Sequence, residues 1–179
     1  FVKPYDGSNS SELYLINEES ELTEYHLENE KFMFLEYLDH DDHTEFTVDL
    51  YYDKSSKLKC VVPRERIEVR GGEVNKGITR KNEILEYLKK RIGSLEGARG
   101  CITLQLFQHN KSKKLYGIEI NPRFGGGFPL SYAAGANYPK WIIQEYLLNQ
   151  VIPEFDDWEE NLLMLRYDDE VLVHDFKDE

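Results

Sequence analysis

Cysteine is scarce in this 179-residue chain, and Cys60 and Cys101, the two present, share no C-x-x-C spacing. That excludes a disulfide framework, a thiolate zinc knuckle and a dithiol redox motif. Basic charge is short too: 34 acidic residues face 22 basic ones for a net charge of -12, which repels a nucleic-acid backbone unless a local basic patch intervenes, and none is visible. No apolar run approaches the ~20 residues of a membrane-spanning helix. Internal repeats, low-complexity tracts and Ser-His-Asp or Cys-His pairings are all missing. The chain opens on Phe-Val-Lys-Pro rather than Met, without a basic leader or a long apolar segment behind it, so we expect a piece of a longer cytoplasmic polypeptide, with no nucleic acid and no membrane as partner.

Apolar residues are plentiful: a hydrophobic content of 40%, with 13% aromatic, supports one folded domain with a real core. Its chemistry is concentrated between Leu104 and Tyr132. Alternating segments over Cys101 to His109 and Leu115 to Asn121 flank the polar run Asn-Lys-Ser-Lys-Lys, which suits a hairpin loop. A loop centred on Ser112 sets Gln105 opposite Glu119. Asn121 then shares their face, while Ile118 and Ile120 point to an apolar core on the other. A carboxylate and two amide carbonyls on rigid strands suit a hard divalent cation, above all Mg2+, and the lack of His or Cys argues against zinc.

Pro122, Arg123 and Gly125-Gly126-Gly127 follow at once, then a small-residue segment, Pro129 to Ala136, able to start a helix. A guanidinium beside exposed backbone N–H groups suits a transferring phosphoryl group. Each element alone reads as an ordinary hairpin or glycine loop; the combination is far more specific.

Together, Gln105, Glu119, Asn121 and Arg123 resemble the metal ligands and catalytic arginine of the ATP-grasp superfamily, in the branch typified by the carbamoyl phosphate synthetase large subunit. The resemblance implies ATP and Mg2+ (or Mn2+) as cofactors. It also implies an α+β fold with a mainly antiparallel sheet and flanking helices: residues 1-38 as a remnant of the small phosphate-loop lobe and 39-179 as the C-terminal catalytic lobe. Lys3, at the end of a first strand, and Ser8 and Ser10, in the turn-rich PYDGSNSS loop, would contact phosphate. Backbone near Tyr37 and Leu38 would meet the adenine edge with Glu36 bordering the pocket. Glu45 would bind ribose hydroxyls, and Phe107, which shares a face with Gln105, would lie beneath the adenine ring.

Elsewhere the pattern predicts a strand over 12–16, a helix over 17–30 with Leu22, Tyr25 and Leu27 as its apolar side, and a buried strand over 31–38 carrying Glu36. Asp39 to Thr44 (DHDDHT) could bind a transition metal, although a hydrated loop is the better reading of adjacent ligands without enforced geometry. Strands are expected over 45–52, 58–69 (interrupted by Pro63) and 74–79, and helices over 81–93 and 138–148, the last with Trp141, Ile142, Tyr146 and Leu147 inward. A final strand pair is expected over 162–167 and 170–176. Among Arg64, Arg66, Arg70 and Lys76, one member should offset phosphate charge; Lys76 is chosen as catalytic, with surface solubility the reading for the others.

The expected activity is therefore an ATP- and Mg-dependent ligase that activates a carboxylate as an acyl phosphate for an amine or similar nucleophile. A nucleotide-sensing module without turnover is the alternative. Expected partners are small carboxylates and amines, an N-terminal part of the same polypeptide, and a second copy in a homodimer.

Overall fold

The computed structural model describes residues 1–6, 12–167, 169, 173 and 174. Ser8, Ser10 and most of the strand expected over 170–176 lie outside these. Strands β1 (Val2–Pro4) and β2 (Phe32–Phe34) form a two-stranded antiparallel ribbon with Lys3 opposite Met33. The main sheet contains β3 (His43–Tyr52), β4 (Leu58–Arg70), β5 (Glu73–Thr79), β6 (Gly100–His109), β7 (Leu115–Asn121) and β8 (Leu163–Leu165), in the order β7-β6-β3-β4-β5-β8. Every described pairing is antiparallel, so the α+β, mainly antiparallel architecture holds. The helices are α1 (Glu24–Glu28), α2 (Glu83–Ile92), α3 (Phe128–Ala133) and α4 (Tyr138–Tyr146).

Register separates the two faces. Phe46, Val48 and Leu50 on β3 stand opposite Leu106, Leu104 and Ile102 on β6, all buried. α2 lies over this side with Ile84, Leu85 and Leu88 inward, and Gln108 Nε2 reaches Glu83 Oε1 at 3.2 Å. The sequence of α2 accounts for its ends: the Asn82 side chain accepts from Ile84 N at 3.2 Å, and Gly93 closes the helix.

The opposite face carries Glu45, Thr47 and Asp49, with α3 and α4 on the Asp49 end. Ser131 Oγ donates to Asp49 Oδ2 at 2.5 Å, and Tyr138 Oη to the Asp49 carbonyl at 2.9 Å. The Glu45 end is only half-buried.

Pro63 does not interrupt β4. A strand residue points its N–H and C=O toward the same neighbour, and the Pro63 carbonyl accepts from Arg80 N at 2.9 Å, just past the end of β5. The missing N–H thus falls where that ladder stops.

Several expectations near the N-terminal side are corrected. Residues 12–16 contribute a single bridge, Val2 to Tyr14, not a strand. The expected helix over 17–30 is a 3-10 turn at Glu19–Glu21 and the five-residue α1, because Thr23 caps a new start through the His26 ring. Its buried residue is His26, while Tyr25 and Leu27 are exposed. Residues 31–38 yield only β2, whose one partner is three residues long; Glu36 is exposed rather than buried.

In α4 the inward stripe is Tyr138, Trp141, Ile142 and Glu145, an i, i+3, i+4, i+7 face. Tyr146 and Leu147 are exposed. Glu145 accepts from Tyr51 Oη at 3.0 Å and Lys54 N at 2.8 Å, so a charged residue occupies a core position that apolar periodicity cannot see. Ile120 is 60% exposed on the edge strand β7; the apolar core ends one strand earlier than expected.

Candidate functional site

The hairpin β6–β7 forms in the expected register, with Gln105 directly opposite Glu119 and Thr103 opposite Asn121. Beyond Gln105 a bulge shifts the pairing by one residue, so Leu106 faces Gly117 and Phe107 faces Tyr116. Bulges re-aim side chains, and this one lies beside the Gln105–Glu119 pair.

Register with β3 puts Glu45 opposite Phe107 and Thr47 opposite Gln105. The face therefore reads in order Phe107, Glu45, Gln105 with Glu119, then Asn121 and the turn to Arg123. Gln105 Nε2 donates to Glu45 Oε1, and Asn121 Nδ2 donates to Glu119 Oε1 at 2.8 Å. Two carboxylates and two amides form two contiguous pairs, with no nitrogen or sulfur ligand among them. Rotating either amide about its last bond presents oxygen in place of nitrogen.

Arg66 joins this cluster from β4. Its Nη1 lies 3.3 Å from Glu45 Oε1, with both side chains mostly buried, and its Nη2 donates to the Gly72 carbonyl at 3.0 Å. Its Nε is buried with no hydrogen-bond partner among the described residues. Sequence reading grouped Arg66 with surface cations. The signal that could have found it is alternation: Arg64 and Arg66 lie two apart on β4, beside Thr47 and Glu45 on β3, on the polar face.

Arg123 is exposed, but its backbone is pinned: Arg123 N donates to Asn121 O at 2.8 Å, and Thr103 Oγ1 donates to Arg123 O at 2.8 Å. The guanidinium Nη1 reaches Phe124 O at 3.1 Å. The glycines beyond it form a tight turn whose carbonyls lead into α3. Phe128 N bonds Gly125 O at 2.9 Å and Leu130 N bonds Gly127 O at 3.1 Å, and β-carbons at Gly126 and Gly127 would overlap Glu73 and Arg64. Close packing onto the sheet is the first demand this run meets.

Phe107 is half-buried, with His40 and His43 rings edge-on at 5.1 and 6.2 Å. Tyr37 is exposed and Leu38 half-buried in the segment before β3, and their backbone groups make no hydrogen bond among the described residues. Lys3 belongs to the separate ribbon. Lys76 is not brought to the site: it lies on β5, paired with Glu68, and β3 and β4 stand between it and β6, about 14 Å at ordinary strand spacing.

The His-Asp loop gathers no metal site; among the described residues no group of three or more His, Cys, Asp or Glu could hold an ion. Nor is there a thiol nucleophile. Burial, with the Asp49 carboxylate adding to it, pushes the Cys101 thiol well above its usual range, and burial raises Cys60 to about 12. Among the described residues no helix is long and apolar enough to cross a membrane.

Solved structures share this arrangement of strands. The biotin carboxylase domain of 2-oxoglutarate carboxylase from Hydrogenobacter thermophilus matches with a TM-score of 0.52 at 20% identity, over 71% of this chain and 29% of that one. Biotin carboxylase from Campylobacter jejuni matches at 0.52 and 16%, over 72% and 30%. Pyruvate carboxylase from Rhizobium etli matches at 0.52 and 14%, over 73% and 14%. These likenesses establish the fold, and the chain spans less than a third of each structure's length. No curated protein matches in sequence. The family described as ATP-grasp in the biosynthetic pathway with Ter operon matches residues 28–168. That is well over half of the sequence, and the chain belongs to this ATP-grasp family.

Proposed function

We propose that the chain is the nucleotide- and metal-binding part of a ligase that uses ATP to activate a carboxylate for attack by an amine. The observation that carries this is the polar face running from Phe107 through Glu45 and the Gln105–Glu119 pair to Asn121 and Arg123. Its order suits a nucleotide: base, ribose, phosphates, transferred phosphoryl.

The donors fit a hard divalent cation. Glu119, Gln105 and Asn121 would hold Mg2+, with Mn2+ the second choice, and Glu45 is close enough to share the charge. When bound, the cation supplies neutralisation of phosphate oxygens. The Hydrogenobacter domain, crystallised as a dimer with Mg-ADP, ADP and bicarbonate, supports this choice and a homodimer.

The chain's own residues do the rest. Phe107, backed by His40 and His43, offers an apolar surface to the purine, and the backbone of Tyr37 and Leu38, with Glu36 beside it, takes the adenine edge. Glu45 meets the ribose hydroxyls. Arg66 supplies the cation that sequence reading sought in Lys76, and Arg123, fixed by Thr103, stabilises charge on the phosphoryl in flight. Lys3, Ser8 and Ser10 are the residues assigned to phosphate contact in the small lobe, residues 1-38, and 39-179 are assigned to the catalytic lobe.

A carboxylate oxygen attacks the γ-phosphorus and ADP leaves; the amine lone pair then attacks the acyl carbon and inorganic phosphate leaves with the bonding pair. The motif Glu-x-Asn-Pro-Arg supports the narrower placement beside the carbamoyl phosphate synthetase large subunit, with bicarbonate as one candidate carboxylate. A cytoplasmic setting and a further N-terminal part of the polypeptide complete the reading. Isothermal titration with Mg-ATP, then phosphate release across carboxylate and amine pairs, tests it. Nucleotide binding without turnover in any longer form would favour a sensing module, and absence of Mg-dependent binding would remove the proposal.

A further inference from the structure

The outer side of α4 and the turn that follows it present a run of apolar side chains to solvent. Ile143, Leu147, Leu148 and Val151 are 53, 74, 58 and 88% exposed, and Tyr146 is exposed beside them. Ile143, Tyr146 and Leu147 stand at i, i+3 and i+4 across the end of α4, on the side away from the buried Glu145. Together the five leave on the order of 500 Å2 open, toward the upper end of the ~300–600 Å2 of the largest patch on an ordinary monomer, and patches of that size commonly serve contacts.

The run is ordered in the single chain. Leu147 N and Leu148 N donate to Ile143 O at 3.0 and 3.3 Å, and Gln150 N to Gln144 O at 2.9 Å, so the backbone stays wound past the helix end. Asn149, at a φ of 52° that asparagine tolerates, receives Lys54 Nζ at 3.3 Å, and the same ammonium lies 5.0 Å over the Tyr146 ring. Little ordering entropy is left to lose on docking.

Charge then selects the partner. Of the 34 acidic residues only Glu145 falls between residues 120 and 153, and it is buried against Tyr51 and Lys54. The exposed Leu13, Leu15, Tyr25 and Leu27 lie instead in a stretch, 12–30, with seven glutamates and no lysine or arginine. Two copies of a chain of net charge -12 repel each other. The end of α4 is a surface on which they meet without carboxylate facing carboxylate.

We propose that a second copy of this chain docks here, through a contact whose two-fold axis passes close to Leu147, the middle of the run; the proposal rests on the homodimer in the reading above and not on its chemistry. Each copy lays Ile143, Tyr146, Leu147, Leu148 and Val151 against the same residues of the other. With a polar rim added, the patch brings each side near the ~800 Å2 of a stable interface. Lys54 and Lys140 at its edge share one sign, so the contact is apolar at its centre and takes nothing from ion pairs between them. Salt therefore strengthens it, by screening the repulsion between two acidic bodies.

Sedimentation velocity of the whole chain, over a range of protein concentration and from about 50 to about 500 mM NaCl, tests this. A monomer–dimer equilibrium should appear, with a Kd that falls several-fold as salt rises. Leu147→Glu and Val151→Glu should each raise Kd at least about a hundredfold. Leu27→Glu, on a leucine that is 63% exposed, should leave it unchanged. Cross-linking keeps the test independent of how stable those variants are: Leu147→Cys, in a chain whose own cysteines are buried, should oxidise to a covalent dimer, and Leu27→Cys should not. A monomer at every concentration, a Kd indifferent to both patch glutamates, or a dimer that salt dissociates overturns the proposal. So does a monomer that co-sediments with phosphatidylcholine–phosphatidylglycerol vesicles, which gives the patch to a lipid surface. Mg-ATP titration of the same samples separates the two proposals: a dimer without nucleotide binding removes the ligase reading alone, and a monomer that binds Mg-ATP removes the interface alone.

Discussion

The guanidinium of Arg64 lies directly beneath the α-carbon of Gly127, in a sheet that also buries its partner Asp49. Arg64 is 1% exposed and Asp49 0%; the contacts are Nε to Oδ2 at 2.8 Å and Nη2 to Oδ1 at 3.1 Å. Because Ser131 on α3 donates to the same carboxylate, the ion pair ties β3, β4, the glycine run and α3 into one unit behind Arg123.

Gly127→Ala should therefore force either the loop or the guanidinium to move. Overpacking of this kind costs about 1–3 kcal/mol, read as a lower urea midpoint at unchanged slope. A midpoint equal to that of the parent chain would mean that the glycine answers to something other than packing.

Arg64→Met removes one partner of a buried pair and strands the Asp49 carboxylate, for which the expected loss is about 3–5 kcal/mol. Adding Asp49→Leu should restore part of that loss, since an apolar pair of similar shape avoids the stranded charge. Strictly additive losses in the two single variants and the double would show that the groups do not interact.

Glu119→Ala should weaken Mg-dependent ATP binding by at least about tenfold, whereas Glu86→Ala, the same charge change on the exposed side of α2, should leave it unaltered. Titration calorimetry with and without Mg2+ compares them. Equal losses would mean that only bulk charge matters.

Much of this site was legible because β-structure converts sequence spacing directly into geometry. Once the loop is centred on Ser112, alternation alone puts Gln105, Glu119 and Asn121 on one face, and the observed register agrees. What stayed hidden depends on contacts between distant segments. Arg64 and Arg66 look like surface cations until β3 supplies Asp49 and Glu45 beside them. Glu145 looks solvated until Tyr51 and Lys54 surround it. The helix expected over 17–30 failed for a local reason: the Thr23–His26 cap starts a new turn inside a span whose composition favours a continuous one.

Arg66 and Lys76 separate the two readings of the basic cluster. Arg66→Ala should lower affinity for ATP more than for adenosine, because the lost charge serves the phosphates, and the ratio should fall about tenfold. Lys76→Ala, which releases only Glu68 on the surface, should leave that ratio alone. The opposite ranking would return the role to Lys76.

Acid stability should report on the turn that joins β3 to β4 and so aligns Glu45 with Arg66. Asp53 Oδ1 accepts from Ser55 N at 2.8 Å and Lys57 N at 2.9 Å, and Oδ2 lies 3.2 Å from Lys59 Nζ. Burial alone would raise this carboxyl, but the Lys57 N–H, the Lys59 ammonium and the Ser55 N–H together hold it below its usual value. A folded-state pKa below the unfolded one means that the unfolded chain binds more protons in the interval between them, so stability rises with pH there. The contribution is complete above the unfolded value of about 3.9 and disappears as pH falls through the folded one. Asp53→Asn keeps an acceptor oxygen for the turn but cannot titrate. It should be less stable than the parent at neutral pH, with the gap closing below about pH 4. Urea unfolding from pH 7 down to pH 3 measures that gap; one that stays constant over the whole range would show that the Asp53 charge contributes nothing and that only the shape of the turn matters.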